Sequence, residues 1–546
     1  MSWSDLTVTL NSDGSPVFKS SKGSLWPIQV ALNELPVPHR WKNILVGAVW
    51  FAKEHPPCHL FLKTFVDKFN AIGTLVWTFA GRTVRSTVSA LCCCVDSPAR
   101  AALLNAKQYN GYYGCSWCFQ KGTLIDGTLK YIFEGPDAME RCHDSVISAM
   151  SIAASRGCPA DGIKGPSAVA NLRTLDLVWG FPPDYLHCIL EGVVCQLMEL
   201  WLSSTGKPWY IGNRIRILND RMMKIRPPGF FTRLPRSLSE RSFWKASELK
   251  YWLLYYGAPC LENILPHKYL LHFSLLSHST YLLLKASIKE WEISHADLLL
   301  QQFVQEMPKL YGDNTFTFNV HQLVHIAKSV RMTGPLWATS TFPFEGGNGD
   351  LLKLVSAAKG VPQQIAERCI MQEMLKSLKR IVFLPPMLKK KQQIISGKKT
   401  VNHYASAVMG APLPASNLES SVHSLLNALG PVSTIGEYFR AQIRGIIVHS
   451  SHYKRAEKSC SQYIETCDGR LCRIVNVLSV DSSMVFVCQE LMFTESLMPF
   501  LYEVEHPPPD VGLCLLQEES IFSLCVYVER NDKSFIVKIP NLYERD

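Results

Sequence analysis

Two strand-like runs in this chain each end on an aspartate, and a third acidic residue opens a helix-like segment far downstream. The first run, Leu6 to Asn11, alternates apolar and β-branched residues and stops at Asp13-Gly14. The second, Thr87 to Val95, is β-rich and stops at Asp96. Glu345 stands at the head of a segment with Leu351, Leu352, Leu354 and Val355 at helical spacing. Two strands that end on carboxylates beside a helix that begins with one strongly limit the fold. They demand a core in which elements distant in sequence meet at one edge.

The remainder of the chain fits an α/β class with added domains. His59 to Phe69 carries apolar residues on a helical period between the two strand runs, and Ser97 before Pro98 reads as helix-start punctuation. Strands alternating with helices over residues 1–122 predict an α/β core. From 123 to 335 the pattern turns helical, notably over Tyr185–Leu202, Ser247–Tyr256, Tyr269–Trp291 and Ala296–Leu310. This reads as a large helical insertion, after which residues 336–385 return to the core. A basic, then Ser/Pro/Ala-bearing stretch over 386–430 reads as a linker. Short β-rich runs over 431–546 predict a small β-domain.

Bulk properties exclude several classes. At 546 residues with 47% apolar and 19% charged residues, the chain suits a multidomain globular protein and not a disordered one. A formal charge of +10 permits a polyanionic partner. The eighteen cysteines do not read as a secreted disulfide framework. Several, such as Cys92 to Cys94, lie inside apolar runs, and no signal peptide is visible at the start, so a reducing compartment is expected. No uninterrupted apolar stretch of membrane-spanning length is present, so no membrane span is expected.

Phosphoryl transfer asks a protein mainly to position groups and neutralise charge, and two divalent ions about 4 Å apart can do both. Such ions take oxygen ligands, which makes Asp13, Asp96 and Glu345 a candidate set for Mg²⁺ or Mn²⁺. Taken singly, Asp13-Gly14 reads as a β-turn and Asp96-Ser97-Pro98 as a helix cap. A second group lies between the second and third acids. Cys115 and Cys118 have zinc-knuckle spacing, and His321 and His325 share one helix face. Two Cys and two His make a closed structural site, although the halves lie 203 residues apart, from 118 to 321. Joined, they would brace the acid site across the insertion. Unjoined, they are buried thiols and an ordinary helix face.

In order along the chain, Asp13-Gly14, Asp96, Cys115-x-x-Cys118, Leu186-His187, His321/His325 and Glu345-Gly-Gly-Asn348 resemble the pattern of CACTA/EnSpm-type DDE transposases. These belong to the CACTA–Mirage–Chapaev group and are related to the catalytic subunit of the V(D)J recombinase. The resemblance covers roughly residues 5 to 385. It implies an RNase H-like catalytic core interrupted by a helical insertion, with Asp13, Asp96 and Glu345 on Mg²⁺ or Mn²⁺. It also implies structural Zn²⁺ on Cys115, Cys118, His321 and His325, and in-line attack by water and then a 3′-hydroxyl on DNA. His187 matches the Leu-His element and is expected near the catalytic acids; the competing reading is a core histidine in an apolar helix. Nuclear localisation and a homodimer or higher oligomer follow from the same resemblance. The first strand begins almost at residue 1, which leaves no expected room for an end-recognition domain and suggests a truncated or host-adopted element.

Between Arg214 and Lys245 cations far outnumber acids, with Phe230, Phe231 and Trp244 interleaved. Arg214, Arg216, Arg221, Arg233, Arg236 and Lys245 are therefore candidates for gripping DNA phosphates. The competing reading is a solvated basic face. Three function classes stand: a DDE endonuclease and strand transferase, a non-catalytic zinc-braced nuclear DNA- or protein-binding derivative, and an RNase H-like nuclease without strand transfer.

Overall fold

The computed structural model describes residues 4–17, 23–133, 135, 139–388, 391, 406–413, 418–428, 430–453, 457–509, 511–530 and 532–544. Helices and sheets both contribute substantially, so the class is mixed α/β as the sequence predicts. The chain divides into two compact units: residues 1–195 with 282–383, and residues 196–281 with 384–546. This division runs through the expected 123–335 insertion, whose middle part belongs to the second unit.

The first unit is built on a six-stranded sheet comprising β1 (Leu6–Ser12), β2 (Ser15–Pro16), β3 (Ser24–Leu32), β4 (Leu45–Ala52), β5 (Thr74–Phe79) and β6 (Arg82–Cys93). β3 pairs antiparallel with β1, β2 and β4, and β5 with β6. β1 and β6 run parallel, with Leu10 opposite Cys93. That one parallel pairing needs a crossover, which α2 (Cys58–Asn70) supplies after the short α1 (Val37–Arg40).

β1 is buried on both faces because the sheet is a middle layer. Val8, Leu10 and Ile28 share one cluster with Phe61, Leu62 and Phe65 of α2 and Leu103 of α3 (Ser97–Leu103). Ala31, Cys92 and Cys94 face the other way and cluster with Phe344. The helix Phe342–Lys353 therefore lies on the sheet face opposite α2. Gln29 fixes it there, donating from Nε2 to the Phe344 carbonyl (3.0 Å) and Asn348 Oδ1 (2.9 Å). The approach is close enough that a Cβ on Gly347 would meet Gln29 Oε1 at 2.2 Å, so a larger residue there would displace the Gln29 amide. Some boundaries differ from expectation. The expected Tyr269–Trp291 helix ends at Leu283, and a separate helix runs Glu290–Tyr311.

In the second unit, residues 435–538 supply a nine-stranded sheet, all of its pairings antiparallel. The expected 386–430 linker is only partly one. The helix Ser420–Asn427 buries Val422 and Leu426 against Leu478, Val480, Val485 and Val487 of the sheet, so this stretch belongs to the domain. Most of the lysine-rich part of that stretch lies outside the described residues. One segment, Leu186–Ser203, is long and apolar enough to cross a membrane, and half of it is buried inside the protein.

Candidate active site and metal centre

The parallel pairing of β1 with β6 brings the two aspartates to one edge. Leu10 and Cys93 are register partners, and each aspartate lies three residues beyond its member of that pair. Cys94 N donates to the Leu10 carbonyl (2.8 Å), and Asn11 Nδ2 to the Cys94 carbonyl (2.7 Å), so the strands stay joined up to the turn. Asp13 accepts from Gly14 N (2.7 Å), and Asp96 caps α3 by accepting from Ala99 N (2.7 Å). The turn and cap readings are thus both correct locally. They leave a second oxygen on each carboxylate for other work.

The third acid is delivered by the helix Phe342–Lys353, which carries Glu345 in its first turn. Between the strand ends and that helix lies His187, in the first turn of a π-helical segment, Leu186–Val194. Such wide turns are frequent at functional positions. His187 Nε2 is 3.6 Å from Glu345 Oε1, and its Nδ1 is 2.6 Å from Asp184 Oδ2. It therefore faces the acids, and the core-histidine reading does not describe it.

Asp184 escaped the sequence reading. Its side chain is only 2% exposed, and it collects four hydrogen-bond contacts. His187 N (3.1 Å) and Nδ1 (2.6 Å) meet it from one side, Thr341 N (3.1 Å) and Oγ1 (2.9 Å) from the other. Thr341 is the N-cap residue of the Glu345 helix, so one buried carboxylate ties the histidine to that helix. The signal was present as Asp184-x-x-His187 at a helix start, a spacing that also describes ordinary caps.

The electrostatics agree with convergence. Loss of water raises the Asp13 carboxyl, and the charge of Asp96 adds to it, with Asp184 contributing and His187 opposing. Glu345 is raised to about 7 by loss of water, countered by His187 and reinforced by Asp184, Glu191 and Asp13. Burial would lower His187, but its hydrogen bond to Asp184 and the charges of Asp184, Glu345 and Asp96 outweigh that and raise it to about 9. Loss of water is the larger cause at Asp13 and Glu345, and the charge of Asp96 on Asp13 and of Asp13 on Glu345 adds to it, as expected of acids that lie near one another.

The Cys/His group is assembled. Cys115, Cys118, His321 and His325 are all buried, and their donor atoms lie within 4.8 Å of one another. Cys115 Sγ is 3.5 Å from His325 Nε2, Cys118 Sγ is 3.5 Å from His321 Nε2, and the two Nε2 atoms are 3.3 Å apart. Four soft and borderline donors at this separation can hold a metal ion such as zinc. Arg141 Nε holds the knuckle by donating to the Cys115 and Cys118 carbonyls (3.0 Å each). Tyr131 stacks on His321 at 5.2 Å and Trp117 packs on His325 at 5.6 Å. His321 Nδ1 has no hydrogen-bond partner, so the Tyr131 stack orients that ring.

The two centres are mechanically linked through α3. Arg100, buried on that helix, donates from Nε to Ser116 Oγ (3.1 Å) and lies 4.1 Å over the Trp117 ring. Asp96 caps the same helix.

The basic segment is used differently from its sequence appearance. Arg221 donates to the Cys260 and Glu262 carbonyls (2.6 and 2.8 Å), and Arg236 grips Glu248 with two bonds (2.6 and 2.7 Å). Phe231 and Trp244 are buried, with Phe231 stacked on Tyr251. The Arg221 and Arg236 guanidinium groups are thus already engaged by protein acceptors, while Phe231 and Trp244 are buried. Arg214, Arg216, Arg233 and Lys245 are exposed. No protein-family model matches this chain, and no curated protein is significantly similar to it.

Proposed function

We propose that this chain is a DDE-type DNA transposase whose acids cut and join phosphodiesters on an RNase H-like core. The reading is carried by the β1–β6 pairing, which brings Asp13 and Asp96 to one sheet edge, and by the 3.6 Å approach of Glu345 to His187. The strand order supports the core assignment: three antiparallel strands, β4, β3 and β1, continue into β6, which runs parallel to β1 and ends at Asp96. The β5–β6 hairpin is an addition to that plan.

Asp13, Asp96 and Glu345 would hold Mg²⁺ or Mn²⁺, which when bound activates the attacking oxygen and stabilises the leaving one. The chain's own contribution is positional. The β1–β6 pairing fixes two carboxylates, and Gln29 with Asp184 fixes the helix that carries the third. His187, protonated at neutral pH and hydrogen-bonded to Asp184, is an imidazolium that can hold a DNA phosphate oxygen beside the acids. Cys115, Cys118, His321 and His325 would hold Zn²⁺, and Arg100 of α3, whose N-cap is Asp96, reaches the adjoining Ser116.

The test is Mn²⁺-dependent nicking of supercoiled DNA by the full chain. Asn also caps helices, so Asp96→Asn should keep the fold within a few tenths of a kcal/mol while removing a charged ligand. Nicking that disappears in Asp96→Asn supports the reading. Nicking that survives in that variant, or no cleavage under any divalent ion, refutes it in favour of a zinc-braced binding protein.

A further inference from the structure

A second polar cavity lies within the second unit and plays no part in the chemistry above. It has a volume of about 320 Å³, and Arg226, Arg473, Tyr463, His506, Tyr527 and Glu529 are among its lining residues. Tyr463 and Arg473 are partners across an antiparallel ladder, which places both side chains on one face of the sheet. Tyr463 and Tyr527 stack at 4.2 Å, and His506 Nε2 lies 3.2 Å from Tyr527 Oη, so the aromatic wall is set.

Arg473 is the informative residue. Its Nε is shut off from water with no hydrogen-bond partner, and among the described residues its guanidinium forms no ion pair. Arg473 lines the cavity and is half-buried, so a guanidinium there without a carboxylate or carbonyl partner among the described residues is open to an anionic acceptor from outside. Arg226, exposed on the same cavity, likewise forms no ion pair among the described residues. Glu529 is the opposing carboxylate, outnumbered by these guanidinium groups. Loss of water, and after it the field of Arg473, hold His506 below its ordinary value, with Glu529 opposing.

We propose that this cavity binds the terminal phosphate of a nucleic-acid strand. A guanidinium pair in a concave site suits a phosphate dianion presented at an end, whereas a phosphate inside a strand is reached from an open ridge. The exposed Arg214, Arg216 and Arg233, on the sequence flanking Arg226 in the same unit, supply sequence-independent attraction for the strand behind that end.

The experiment is fluorescence anisotropy on the full chain with no added divalent ion. Probes are a short single-stranded oligonucleotide with a 5′-phosphate, the same strand with a 5′-hydroxyl, and a phosphoserine peptide. The phosphorylated strand should bind roughly tenfold tighter than the hydroxyl strand, one charge-assisted contact's worth of affinity. Arg473→Gln should remove that advantage, as should Arg226→Gln, whose exposed position keeps folding out of the result. Equal affinity for the two strands overturns the proposal, as does a preference for the phosphopeptide or an advantage that survives in both variants. The readout is binding without metal, so its failure leaves the acid centre untouched.

Discussion

The two centres of the first unit are held in place by opposite means. The Cys/His group is sealed, with four buried donors, aromatic rings on both histidines and an arginine beneath the knuckle. The acid group is half open: Glu345 keeps 43% of its side chain exposed and His187 keeps 33%. One arrangement excludes exchange with water, and the other preserves a face on which a substrate can land. The difference teaches a division of labour. The two are joined by contact: Arg100 of α3 meets Ser116 and Trp117 of the knuckle, and Asp96 caps the same helix.

Variants can break that comparison from either side. The largest effect should come from Cys118→Ser, since structural zinc in small domains contributes about 10 kcal/mol to folding. Metal analysis should fall from one zinc per chain to none, with loss of soluble protein; one zinc retained would mean the four donors are not the site. Next is Asp96→Asn, expected to lower nicking about a thousandfold, on the order of 4 kcal/mol of barrier, with zinc content unchanged. Loss of zinc in that variant would show that the centres are not separable. Asp184→Asn should cost about 3 kcal/mol in a thermal melt, since a buried charged partner of His187 is removed. A melt unchanged from the parent chain would contradict its tying role.

Titration sharpens the same contrast. Glu345 is raised from 4.5 to about 7, so its proton is favoured by folding and that stability is lost as pH climbs through about 7. His187 is raised from 6.5 to about 9, and its contribution is lost as pH climbs through about 9. Metal-free protein should therefore melt progressively lower as pH rises from 4.5 to about 9, and added Mn²⁺ should cancel the lower part of that slope. A melt that rises over the same range would invert the account. The smallest effect is expected from Arg233→Glu, which should lessen the salt dependence of DNA binding by roughly one phosphate contact. An unchanged slope would place DNA elsewhere.

Much of the site was legible in the sequence because it rests on local signals. Alternation marked β1 and the β6 strand up to Asp96, and helical spacing marked α2 and the Glu345 helix. Cys115-x-x-Cys118 and His321/His325 each fit a ligand geometry before their meeting could be known. What stayed hidden depends on partners. Asp184 matters because Thr341, 157 residues away, comes to it. Arg221 and Arg236 look like their exposed neighbours until Cys260, Glu262 and Glu248 are placed beside them. The strand Thr74–Phe79 was missed because all of its residues are exposed, so no alternation between faces was imposed on it. The helix Ser420–Asn427 is eight residues in a polar stretch, and its two buried positions acquire meaning only against the sheet.

The central claim is that three carboxylates form one divalent-ion centre. Anomalous scattering from crystals of the full chain soaked in Mn²⁺ tests it most directly. The account predicts two manganese peaks about 4 Å apart, bounded by Asp13, Asp96 and Glu345, with a separate zinc peak at the Cys/His group. Zinc present with no manganese between those acids, or manganese bound without Glu345, would contradict it.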